Sequence, residues 1–197
     1  MDLITGLPPS SKSGSTALLV MTDRLGKGVE LYGLTEESVE AVIEIFIDRI
    51  IRHYRFPEGI VSDRGPQFVN GVWKRMCQIL NINRRLSTTA HPETDGSTER
   101  MNQNIEAYIR IFATFCQDNW ENLLPIAQLA INNRNSASTG ISPFFMTHGY
   151  TVDPIQTEEP LRDGDKSPIE KGEAIVRKLN EAWEYAQAAM AYIQKIQ

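Results

Sequence analysis

Apolar residues at Val39, Val42, Ile43, Phe46, Ile47, Ile50, Ile51 and Tyr54 recur every three or four positions, the mark of one buried helical face. Thr35 precedes this run as a suitable N-cap. Glu36 and Glu37 follow where the helix dipole favours anions, and Pro57-Glu58-Gly59 ends the pattern. Upstream, Thr16 to Thr22 is a short unbroken apolar run and reads as a buried strand. Residues 2–5 read as the end of another strand, Gly28 to Leu34 as a third, and the Pro-, Ser- and Gly-rich stretch Pro8 to Ser15 as a turn.

Downstream, Gly59 to Ser62 predicts a short strand and Phe68 to Leu80 a helix, with Phe68, Val72, Met76 and Leu80 on its core face. Ile82 to Leu86 suggests one more strand, and Ser87 to Gly96 a polar loop. A long helix is expected from about Ser97 to Gln117, burying Met101, Ile105, Tyr108, Ile109, Phe112, Phe115 and Cys116 and exposing Glu99, Gln103, Glu106 and Arg110. Asn119 caps a helix reaching about Asn133, and Ser142-Pro143 opens a short one with Pro at the favoured first position. The order predicts an α/β fold, a mixed central sheet flanked by helices. Its expected organisation is a core over residues 1–155, a linker over 156–168 and an extended C-terminal helix over 169–197.

The 197 residues, 41% of them hydrophobic, suit one domain of about 150 residues with a further segment. Cys77 and Cys116 sit in helical patterns as buried thiols, which fits a reducing compartment rather than a disulfide framework. No apolar run approaches the ~18 residues of a membrane span and no signal peptide is visible, so a soluble intracellular protein is expected. The net charge of −5 is unusual for a nucleic-acid binder, but its distribution is uneven. From Arg49 to Arg110, ten Lys and Arg stand against six acids, leaving +4.

Three carboxylates carry the candidate chemistry: Asp2, Asp63 and Glu99, the last two separated by 35 residues. Two acids at strand ends and one on a helix can hold divalent cations for phosphodiester chemistry. Each also has an ordinary reading. Asp2 is near the chain end, Asp63-Arg64-Gly65 is a common turn composition, and Glu99 lies near a helix start where it can act as a capping partner. No Ser-His-Asp or Cys-His arrangement, zinc motif or Gly-rich phosphate loop competes. Trp73 and Trp120 read as core or partner contacts, and His53 and His148 as structural.

The flanks of the acids change the weighing. Met1-Asp2-Leu3-Ile4-Thr5-Gly6-Leu7-Pro8, Val61-Ser62-Asp63-Arg64-Gly65-Pro66-Gln67-Phe68 and His91-Pro92-Glu93-Thr94-Asp95-Gly96-Ser97-Thr98-Glu99-Arg100 occur in that order. With Asn132-Asn133, Ser142-Pro143-Phe144 and His148-Gly149-Tyr150 further on, they resemble the integrase core of Ty3/gypsy-type long-terminal-repeat retrotransposons, most closely the fungal members. The resemblance covers roughly residues 1–155. It implies an RNase H-like fold and a triad of Asp2, Asp63 and Glu99 binding two Mg²⁺ (or Mn²⁺) ions. The implied activity is a polynucleotidyl transferase that trims the 3′ ends of element DNA and joins them to target DNA.

The implied partners are those DNA ends, the target duplex and further copies of the chain, with the nucleus as the site of action. His91 and Asp95 in the loop, Asn102 and Gln103 beyond Glu99, and Arg64 beside Asp63 are candidate DNA contacts. A loop-forming role for His91 and Asp95, a solvated face for Asn102 and Gln103, and pairing of Arg64 with an acid remain the plain alternatives.

Integrases of this type also carry a His/Cys zinc-binding domain before the core and a basic region after it, neither of which lies in this stretch. Ala90 stands where relatives often place an aromatic or His. With its acid at the second residue, the first strand is expected to be poorly anchored. Two further readings stay open: a non-catalytic derivative that binds DNA or protein, and a ribonuclease H proper, for which Asp95 or Asp118 would supply a fourth acid.

Overall fold

The structure, a computed structural model, describes residues 1–87, 103, 105, 118–137, 139–152, 172, 173, 176 and 177. Three antiparallel strands form a meander: β1 (Asp2–Ile4), β2 (Ala17–Thr22) and β3 (Val29–Leu34), in the order β1-β2-β3. Asp2 pairs with Val20 and Ile4 with Leu18, while Ala17 to Thr22 pair in full with Leu34 to Val29. Two more strands, β4 (Gly59–Ser62) and β5 (Asn83–Leu86), pair in parallel. The Met1 nitrogen donates to the Val61 carbonyl at 2.8 Å and bridges the two sets. Across that bond the strands run β3, β2, β1, β4, β5.

Ala17 through Met21 are all buried, which explains why β2 is an apolar run without alternation: it is covered on both faces. Ala17, Leu19 and Met21 face one core cluster with Leu34, Val39, Val42, Phe46, Ile60, Phe68, Trp73, Cys77 and Ile82. The two-residue period of a strand sends Leu18 and Val20 to the opposite side. Trp73 is fully buried and meets Phe46 and Phe68 edge to face, with ring centroids 5.5 and 6.0 Å away. Its indole nitrogen has no hydrogen-bond partner among the described residues, so Trp73 acts here by volume and ring contact.

The first helix starts later than Thr35. Ser38 is the N-cap, its side chain accepting from the Ala41 N–H at 3.2 Å, and α1 covers Val39–Ile45. The helical path then widens into a π-helical stretch, Phe46–Ile51, before α2 (Arg52–Tyr54). It ends at Arg55, whose φ of 72° cannot continue a right-handed helix.

The expected single helix over Phe68 to Leu80 is two: α3 (Pro66–Val69) and α4 (Gly71–Ile79). Asn70, extended at ψ 143°, separates them, and its side chain accepts the Val72 N–H at 2.8 Å. The break rotates the core face. Trp73 and Cys77 point inward, whereas Val72 is 52% exposed and not the core residue its spacing suggested. Burial pushes the Cys77 thiol above its ordinary value, consistent with an inert core residue.

A polar cluster ties β3 to this helical stretch. Tyr32 and Tyr54 donate their hydroxyls to the two oxygens of Glu30, at 2.5 and 2.8 Å, and the Arg49 guanidinium lies 5.1 Å from the centre of the Tyr32 ring. Burial first, then the Glu30 hydrogen bond and charge, raise both phenols well above the usual tyrosine value.

The chain divides into two compact units, Met1–Asp23 with Val29–Leu124, and Arg24–Gly28 with Pro125–Gln197. In the first, Gln103 is helical and exposed while Ile105 is helical and buried, as the expected 97–117 helix requires at those two positions; its other residues lie outside those described. The Trp120 indole donates to the Pro8 carbonyl at 2.8 Å at the start of α5 (Trp120–Asn132). In the second unit, α6 (Pro143–His148) is capped by Ser142, which accepts from the Phe145 N–H. Gly149, at φ 80°, closes it with a hydrogen bond to the Phe145 carbonyl. Phe144 and His148 stack at that end, and Tyr150 meets both edge to face. The expected linker and C-terminal helix fall almost wholly outside the described residues. No described helix is long and apolar enough to cross a membrane.

Two stability outcomes follow from this packing. Trp73→Ala should cost about 3–5 kcal/mol in chemical denaturation, and Trp73→Phe distinctly less because no hydrogen bond is lost; equal costs would contradict the packing described. Tyrosines with raised folded-state values favour the folded state while they keep their protons. Their contribution is therefore present below about pH 10, the unfolded value, and lost as pH rises toward the folded value. The denaturation midpoint should fall above about pH 10, and Tyr32→Phe/Tyr54→Phe should flatten that fall; an unchanged alkaline profile would refute it.

Candidate metal centre

Asp2 sits at the start of β1 in full register with Val20, and its Oδ1 accepts the Leu3 N–H at 2.9 Å. The strand is anchored, contrary to the sequence-based expectation. Its three residues all pair with β2, and the Met1 nitrogen ties it to β4. Strand alternation decides which way the acid faces. Leu3 packs on the core cluster, so Asp2 lies on the opposite side of the sheet, with Leu18 and Val20.

Asp63 follows the last residue of β4. Ile60 belongs to the core cluster, so Val61 points to Asp2's side, and two residues further the same period carries Asp63 there. The two acids thus stem from strands joined at Met1 and Val61, each within two residues of that bond.

The Asp63 side chain is held by its own turn. Oδ1 accepts the Gly65 N–H at 3.1 Å, the Asx-type turn expected of Asp-Arg-Gly. Pro66 then opens α3 at a position that needs no N–H. Gly65 is required for space rather than dihedral freedom. A Cβ there would stand 2.5 Å from Gln67 Nε2 and 3.2 Å from Asp63 Oδ1. Gln67 is only 6% exposed, so its amide has little room to retreat. It is a residue that sequence reasoning missed. A Gln beside a Gly-Pro turn reads as surface, and only the break at Asn70 turns it inward.

Asp63 and Arg64 are exposed. Gln103 is also exposed. Glu99, His91, Asp95, Asn102 and Ala90 lie outside the described residues, so of the three proposed ligands the structure describes Asp2 and Asp63. Among the described residues no group of three or more His, Cys, Asp or Glu forms a metal cluster. The donor chemistry of the pair fits a hard cation all the same. Both are carboxylates at strand ends, and a magnesium ion keeps several waters and needs few protein oxygens.

Residues 1–92 match the integrase core domain family. The Transposon Tf2-3 and Tf2-4 polyproteins of Schizosaccharomyces pombe are each 32% identical over 152 residues, 77% of this chain and 11% of each polyprotein. The chain therefore spans about a tenth of the length of these curated relatives. The catalytic core domain of BIV integrase superposes with a TM-score of 0.57 at 20% identity, over 74% of this chain and 91% of that one. The HTLV-2 integrase catalytic core domain in complex with magnesium, in its dimeric form, gives 0.54 at 19% identity over 75% and 94%. The fold is that of the RNase H-like integrase catalytic cores. With the sequence relatives, this makes the chain similar to the integrase core of fungal retrotransposon polyproteins, with residues 1–92 matching the integrase core domain itself.

Gly65→Ala should cost about 1–3 kcal/mol by overpacking against Gln67, and Gly65→Ala/Gln67→Ala should recover part of it. Denaturation curves of both check this; a neutral single variant would remove the steric argument.

Proposed function

We propose that this chain is the catalytic core of a retrotransposon integrase, a divalent-metal-dependent polynucleotidyl transferase acting on DNA. The observation that supports the reading is the Met1–Val61 hydrogen bond, which links the strands leading to Asp2 and Asp63. Asp2 and Asp63 would hold one Mg²⁺ or Mn²⁺, and Asp2 and Glu99 a second. Such ions, when bound, activate an attacking hydroxyl and stabilise the leaving 3′ oxygen of an in-line displacement. In the first step water cleaves a phosphodiester near each element end and frees a 3′ hydroxyl. In the second that hydroxyl attacks a target phosphodiester. The bond to the new 3′ oxygen forms as the old one breaks, and no covalent link to the protein arises.

The residues of the chain orient this chemistry. The Gly65 N–H fixes one Asp63 oxygen and so the rotamer of the carboxylate. Arg64 offers a charge for a phosphate beside it, and His91, Asp95, Asn102 and Gln103 would line the DNA end and its flank. The partners are element ends and target duplex, with the nucleus as the setting. Self-assembly is supported by relatives of the same fold solved in dimeric and trimeric forms.

The test mixes the protein with Mg²⁺ or Mn²⁺, a labelled duplex bearing the element's terminal sequence, and a target plasmid. Joined product should form, and Asp63→Asn or Glu99→Gln should each reduce it about 100-fold or more. Duplex binding without joining, unaltered by those substitutions, would instead identify a non-catalytic binding module.

A further inference from the structure

The outer edge of β5 has no part in the proposed metal chemistry. β5 pairs with β4 in parallel, with Ile60 opposite Arg84 and Val61 opposite Arg85. The Asn83 N–H donates to the Glu58 carbonyl at 3.0 Å, and the Ser87 N–H to the Ser62 carbonyl at 2.8 Å. Backbone polar groups of alternate residues point the same way, so those of Asn83 and Arg85 face β4. Those of Arg84 and Leu86 face away from it, and no strand among the described residues pairs on that side. The N–H and C=O groups of these two residues, about 6.6 Å apart along the strand, form a template for an added strand.

Charge decides what can add there. From Arg64 to Ser87 the chain holds Arg64, Lys74, Arg75, Arg84 and Arg85 and no Asp or Glu. Arg85 is exposed, on the face of the sheet opposite the Ile60 cluster. Arg84 lies on the Ile60 side and donates from Nη1 to the Phe68 carbonyl at 2.8 Å. No side-chain ion pair among the described residues involves Arg84 or Arg85. A second copy pairing edge to edge would set Arg against Arg, and like charges directly opposite are destabilising. Duplex phosphates would meet the cations but donate nothing to the two edge carbonyls. An extended peptide supplies both donors and acceptors. Acids at its alternate positions would stand opposite Arg85, and apolar residues between them would lie beside Leu86, which is half-buried on the Arg84 face.

We propose that the outer edge of β5 binds an extended acidic peptide of a partner protein, which adds a strand beside Arg84 and Leu86 and sets its acids against Arg85. The proposal stands apart from the polynucleotidyl transferase reading, since it uses neither Asp2 nor Asp63. Backbone hydrogen bonds supply the affinity, and the alternating side chains supply the selectivity.

The test uses the full chain and a fluorescent peptide of alternating Glu and Val, with a Lys and Val peptide of equal length as the contrast. Anisotropy should show binding of the first and not of the second. Arg85→Glu changes an exposed side chain and leaves the backbone ladder in place. It should weaken the acidic peptide about 10-fold or more and admit the lysine peptide. Amide hydrogen exchange should slow at Arg84 and Leu86 when the acidic peptide binds, while the Arg85 amide, already turned to β4, changes little. No binding of the acidic peptide, equal binding of both peptides, or an Arg85→Glu variant that binds like the parent would each overturn the proposal. Bound peptide with exchange at Arg84 and Leu86 unaltered would overturn it too, because that is adhesion by charge without an added strand. A duplex that displaces the peptide while those two amides stay unprotected would assign the cations to nucleic acid instead. Protection of both amides that grows with chain concentration alone would assign the edge to self-pairing.

Discussion

One hydrogen bond, from the Met1 nitrogen to the Val61 carbonyl, joins the antiparallel meander to the parallel pair. It links two small sheets, each carrying one acid near the bond: Asp2 is one residue from Met1 and Asp63 two residues from Val61. A part-buried hydrogen bond with a charged amino donor gains only about 1.5–3 kcal/mol net. Its importance is geometric, because register converts one contact into the placement of every side chain on both strands.

The core enforces that register. Ala17, Leu19 and Met21 must reach the cluster around Phe46, Phe68 and Trp73, so Leu18 and Val20 are sent to the other face, and Asp2 goes with them by its pairing to Val20. Ile60 does the same for β4. The acids are therefore oriented by the apolar residues beside them. Slipping either strand by one residue would carry its carboxylate into the core, where an unpaired charge is costly.

Much of this was legible in the sequence, for stated physical reasons. The unbroken apolar run of β2 announced a strand covered on both faces, and the flanks of Asp63 announced a strand followed by a tight turn. Where periodicity misled, a local side-chain bond had outweighed it. Ser38 rather than Thr35 caps α1 because its hydroxyl meets the Ala41 N–H, and Asn70 splits the next helix by accepting from Val72. That split exposes Val72 and buries Gln67, neither visible in a helical-wheel count. The anchoring of Asp2 was likewise hidden, since a terminal nitrogen finding a carbonyl 60 residues away is a tertiary fact. Glu99 rests on its motif alone.

The central claim is that Asp2 and Asp63 form one cation site. A Mn²⁺ titration read by amide NMR tests it directly, because the paramagnetic ion broadens nearby resonances. The amides of Leu3, Arg64 and Gly65 should broaden together at the same Mn²⁺ concentration, and Asp63→Asn should abolish the broadening at Leu3 as well as at its own turn. Independent broadening of the two segments, or persistence at Leu3 in that variant, would contradict a shared site.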